Sequence, residues 1–62
     1  MTTIRELSTP ARTLLFEMIT RLANDGLTSR EAARVLRAEF PDLEFTMDTL
    51  RRKAADLDVT FA

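Results

Sequence analysis

Arginine is the side chain with the most chemistry to offer in this chain. Arg30, Arg34 and Arg37 are spaced i, i+4, i+7, so on a helix they share a narrow arc and can meet one surface together. A guanidinium presents a planar fork of N–H donors that grips phosphate oxygens in pairs, and a row of three suits a nucleic-acid backbone. A second set lies in "TMDTLRRKAADL", where Thr46, Thr49, Arg52 and Lys53 bring hydroxyls and cations to one short segment. Such groups, in and just beyond the first turn of a recognition helix, are what reaches a DNA groove. Catalysis finds no comparable grouping. The 62 residues include no His, Cys, Tyr or Trp, and the carboxylates sit beside Arg on faces that read as solvated. With no nucleophile beside a base and no acid–base pair, no catalytic residue is predicted and the chain reads as a non-enzyme. Without His or Cys, no metal site, cofactor or disulfide is expected, and no small-molecule substrate is implied.

Three helices must hold these side chains in place. "STP" at residues 8 to 10 is a start signal, a hydroxyl cap with Pro in the first turn, and predicts a helix over 10–25 that "NDG" stops. Gly26 is the expected left-handed residue after it. "TSRE" fits a capping box in which Thr28 caps a second helix over 29–40 and Glu31 reaches back. Pro41 ends that helix. Thr46 is the expected cap of a third helix over 47–57. Residues 1–8 read as an arm with one loose turn at Ile4 to Leu7, and 58–62 as a tail that lies extended over the core. The expectation is a single small all-α domain, a three-helix bundle.

Faces follow from placing residues at about 100° per step. The third helix turns Met47, Leu50, Ala54 and Leu57 inward, and the second turns Ala32, Leu36 and Phe40 inward. The first helix carries a broader apolar band, from Ala11 through Leu14, Leu15, Met18, Ile19 and Leu22, widened by Phe16 and Ala23. That excess, with Ile4, Leu7, Phe16 and Phe61, predicts a second apolar contact: a homodimer, or another protein partner. A chain of this length buries only about 60% of its unfolded surface, and pairing is a common remedy.

Charge is the counterweight. Nine basic residues face ten acidic ones, for a net charge of −1. Nucleic-acid-binding domains usually carry a basic excess, so the distribution of charge matters more than the sum. Asp48 and Asp56 lie four residues to either side of Arg52 and are both placed to pair with it. Glu39, Asp42 and Glu44 make the connection between the second and third helices acidic. No apolar stretch approaches a membrane span and no secretion signal opens the chain, so a cytoplasmic protein is expected. Eight Arg against one Lys, with abundant Ala, fits a GC-rich bacterial or phage genome.

"REAARVL" followed by "TLRRKAADLDV" resembles the helix-turn-helix of the factor-for-inversion-stimulation family, a homeodomain-like arrangement. The matching residues are Ala32, Ala33, Leu36, Thr49, Leu50, Arg51, Arg52 and Lys53, all in the second half of the chain. The resemblance implies that Leu50 is core and that Thr49, Arg52 and Lys53 approach DNA. The family joins its helices by a tight turn, whereas "PDLEF" is longer, lacks Gly and carries two acids, so a variant with a lengthened turn is expected. Two functions remain open. One is a DNA-binding regulator contacting duplex DNA through Arg30, Arg34, Arg37, Thr46, Thr49, Arg52 and Lys53. The other is a protein-binding module, inhibitor, adaptor or antitoxin-like, acting through the first helix and the acidic surface.

Overall fold

Hydroxyl caps set where each helix begins. In the computed structural model, which describes residues 2–62, the three helices are α1 (Thr9–Asn24), α2 (Ser29–Glu39) and α3 (Met47–Asp56). Ser8 Oγ accepts from the Ala11 N–H at 3.3 Å, so Ser8 is the cap of α1, and Pro10 sits in a first turn that needs no N–H from it. Thr28 Oγ1 accepts from the Glu31 N–H at 3.2 Å, while the Glu31 carboxylate accepts from the Thr28 N–H at 2.9 Å. Thr46 Oγ1 accepts from the Thr49 N–H at 3.1 Å.

The helix ends are equally local. Gly26 has φ 83, and the bonds Gly26 N–H to Ala23 O and Leu27 N–H to Leu22 O close α1 in a Schellman motif. The same pair of bonds closes α3, from Asp58 to Ala55 and from Val59 to Ala54, with Asp58 held at φ 62. Between α2 and α3, Phe40 leaves helical geometry at φ −125 and ψ 72, outside the α region that the ring of a following proline disfavours.

The three helices all pack on one another around one core. Leu15, Ile19, Leu36 and Leu50 are the large side chains fully out of water, joined by Ala32, Ala33 and Ala54. Small residues on α2 and α3 let those two helices share the core closely. Half-buried Val59 and Phe61 of the tail lie against the same cluster, and the Ala62 N–H donates to Leu27 O at 2.9 Å.

Two features of the arm and the connection lie outside the expected picture. Thr2–Thr3 (β1) pairs in parallel with Leu43–Glu44 (β2), Thr2 opposite Leu43 and Thr3 opposite Glu44. Residues 41 to 46 are thus more than a lengthened turn, because they provide the strand on which the arm docks. Behind β1, Ile4–Glu6 forms a 3-10 turn, with the Glu6 carboxylate accepting from both the N–H and the hydroxyl of Thr3. Docking drives Ile4 into the core, 7% exposed, so it is packed internally rather than offered to a partner. Met1 of the arm lies outside the described residues.

Candidate nucleic-acid interface

α3 has two usable faces beyond its buried one. Its outward face carries Asp48, Arg51, Arg52, Ala55 and Asp56, all exposed. Arg52 Nε lies 3.1 Å from Asp48 Oδ2, both side chains largely in water at 78% and 68% exposure. Asp56 makes no ion pair, although its spacing from Arg52 matches that of Asp48. A carboxylate N-terminal to its cation by four residues is the better-oriented of the two, and it is the one that forms. The two arginines and two aspartates of this face balance. Arg51 also lines a small recess of about 280 Å³ against Val59 and Phe61 of the tail.

The flank of α3 is different. Thr46, Thr49 and Lys53 line a groove of about 780 Å³ that α3 forms with the arm and the start of α1. Across it stand Arg5 and Arg12, with Thr3 beside them. Ile4, Phe16 and Phe45 contribute the apolar surface, and Glu44 is the one carboxylate among the lining residues. The Thr46 and Thr49 hydroxyls lie 3.0 Å apart and bond each other, so a ligand there meets an already ordered hydroxyl pair.

Arg12 is the unusual member. Its Nη2 donates to Leu7 O at 3.2 Å, while its Nε is shielded from solvent without a hydrogen-bond partner. The one ion pair among the described residues is Arg52–Asp48, so Arg5, Arg12 and Lys53 have no carboxylate partner.

The α2 row is exposed as its spacing predicts. Arg30, Arg34 and Arg37 all face solvent, and the Arg37 guanidinium sits over the Phe45 ring, 5.0 Å from its centroid. Phe45 therefore joins two surfaces, with Arg37 over its ring and the groove lined in part by its side chain. Of the four apolar residues assigned to a second contact, Ile4 is core, and Leu7, Phe16 and Phe61 are half-buried against that core. The large apolar side chain left exposed among the described residues is Leu14, at 51%.

The sequence pattern groups Arg30, Arg34 and Arg37 with Thr46, Thr49, Arg52 and Lys53. The structure brings Thr46, Thr49 and Lys53 together in the groove and turns Arg52 outward onto Asp48. It adds Arg5 and Arg12, which share no helix with Lys53 and no periodic spacing that could have paired them. Among the described residues no group of His, Cys, Asp and Glu is arranged to hold a metal, and no helix is long and apolar enough to cross a membrane. No protein-family model matches the chain, and neither a curated protein nor a solved structure matches it.

Proposed function

We propose that the chain is a non-enzymatic DNA-binding protein, a small transcriptional regulator built as a three-helix bundle in which α2 and α3 form a helix-turn-helix with a lengthened, strand-bearing turn. The observation that carries this reading is the disposition of α3. Leu50 and Ala54 tie it to Ala32, Ala33 and Leu36, while its opposite face stands clear with Arg51 and Arg52 in water. Ten residues give a helix of about 15 Å, enough to run along a major groove about 12 Å wide. Thr46 and Thr49 sit at the N-terminal end, where recognition helices approach bases.

The test is an anisotropy titration of random-sequence duplex at low and physiological salt. Affinity falls steeply with salt, and replacing Arg51 and Arg52 together with Ala weakens binding while the helical circular dichroism is kept. Unchanged duplex binding in that double variant refutes α3 as the reading helix. Exposed Leu14 favours a second function, docking of a protein or a second copy of the chain on α1. Phe16, with Leu57, also lines a shallow groove of about 580 Å³ along α1. Sedimentation of the full chain over a range of concentrations, with Leu14→Ser for comparison, reads that contact directly.

A further inference from the structure

We infer that the groove between the arm, the start of α1 and the flank of α3 holds a stretch of DNA backbone, with Arg5, Arg12 and Lys53 each taking a phosphodiester. The inference rests on the DNA-binding reading and assigns the backbone contact to a different surface from the α2 row.

Three observations converge on it. Charge comes first, since three cations and one carboxylate line the groove, whereas the outward face of α3 is balanced. The groove therefore draws a phosphodiester more strongly than that balanced face does.

Arg12 supplies the second. A partly buried guanidinium with one bonded nitrogen, a shielded and unpartnered Nε and no counter-ion is an expensive arrangement. An anion in the groove provides the missing charge, and two phosphate oxygens match the guanidinium fork.

The third is position. Thr46 and Thr49 begin α3 and line the same groove, so a phosphate bound there fixes the N-terminal end of the helix against the duplex. Contacts of this kind set register without reading sequence. The arm has a role as well, because the β1–β2 pairing carries Arg5 to within reach of α3.

The experiment uses the full chain and fluorescently labelled random duplex, titrated at several salt concentrations. The variants are Arg5→Gln with Lys53→Gln, and separately Arg12→Gln. The slope of log affinity against log salt is expected to become shallower by about one for each cation removed. Affinity falls for every duplex sequence alike. Arg12→Gln also loses the bond to Leu7 O, so the Arg5/Lys53 variant, which disturbs no hydrogen bond seen in the fold, carries the decision if Arg12→Gln melts early. As a direct probe, the side-chain Nε–H resonance of Arg12 shifts on adding duplex and stays in place with inorganic phosphate at matched phosphate concentration.

Wild-type protein that binds duplex, with an unaltered slope in the Arg5/Lys53 variant, overturns the groove assignment and leaves the DNA-binding reading standing. Wild-type protein that binds no duplex overturns both. Equal shifts of Arg12 with inorganic phosphate and with duplex overturn the backbone assignment in favour of a free-anion site.

Discussion

Replacing Asp48 with Asn is expected to tighten DNA binding and loosen the fold, two changes of opposite sign from one atom exchange. Asp48 stands in the first turn of α3 and pairs with Arg52 at 3.1 Å on the outward face. If that face meets DNA, its carboxylate is brought near phosphates. A unit negative charge about 7 Å from a phosphate costs about 0.6 kcal/mol in a water-like dielectric. Releasing Arg52 from an exposed pair adds about 0.3–0.5 kcal/mol to what it can give a phosphate. The gain of up to about 1 kcal/mol makes binding three- to five-fold tighter, roughly, at low salt where screening is weak. Stability moves the other way. The negative charge near the positive end of the helix contributes about 0.3–1 kcal/mol, and the pair with Arg52 a few tenths more. A loss near 1 kcal/mol lowers the Tm of a chain this small by about 4–8 °C. Anisotropy with random duplex and a thermal melt measure the two effects on the same sample. A variant that melts lower as expected but binds no tighter would falsify the placement of α3's outward face against DNA. A variant that binds random duplex more weakly would show Asp48 making an attractive contact, as a carboxylate does when it accepts from a cytosine amino group.

Two further expectations concern the scaffold. Leu50→Ala removes one of the four large, fully buried side chains at about 2–5 kcal/mol, against a total stability of about 3–9 kcal/mol for 62 residues. Chemical denaturation is expected to show stability lowered by that amount, and an unchanged midpoint would mean that Leu50 contributes nothing to holding α3 in the core. Glu31→Gln tests the cap of α2. The N–H and then the hydroxyl of Thr28 hold the Glu31 carboxyl below the usual carboxylate range, with Arg34 adding a smaller pull. A lowered folded-state pKa stabilises above the unfolded value, about 4.3, and that stabilisation disappears as pH falls through the folded value. The wild-type Tm therefore exceeds that of Glu31→Gln near neutrality and converges with it in acid. A gap that stays constant through the acid range refutes the role of the charge.

What was legible in the sequence was local. Caps act over three residues, so Thr28 with Glu31, Thr46 and Gly26 announce themselves, and Pro41 constrains only its neighbour. The inward stripe of α3 is likewise a matter of spacing: Leu50 and Ala54 are buried, with Met47 and Leu57 half-buried beside them. What was not legible depends on distant segments meeting. A two-residue strand has no alternation to detect, and nothing in "TT" or "LE" marks them as partners. Burial of Ile4 follows from that pairing, so the same gap turned a core residue into an expected interface residue. Most of the apolar excess of α1 has the same explanation. Phe16, Met18 and Leu22 pack against the shared core, leaving Leu14 as the exposed remainder. Arg5 and Arg12 were invisible for a related reason, because the arm and α1 approach Lys53 only in the folded chain.

The net charge of −1 bears on how much of the surface can engage a duplex at once. The acids are not spread evenly: Glu39 at the end of α2 and Asp42 and Glu44 on the connection that follows are all exposed, and Glu44 lines the groove itself. Phe45 bridges that acidic stretch, since Arg37 covers its ring and the groove runs along it. Two geometries are then possible for one duplex. Beyond what Arg51 and Arg52 add, the groove cations alone neutralise about three phosphates and contribute about −2.7 to the salt slope. If the α2 row reaches the same duplex, about six are neutralised and the contribution is about −5.4. In the second geometry the connection must lie over a groove of the DNA, where its carboxylates avoid the strands; in the first it faces away. One salt titration of the unaltered protein therefore counts the phosphates in contact. From that count follows whether the duplex lies on the groove side of Phe45 alone or on both sides of it.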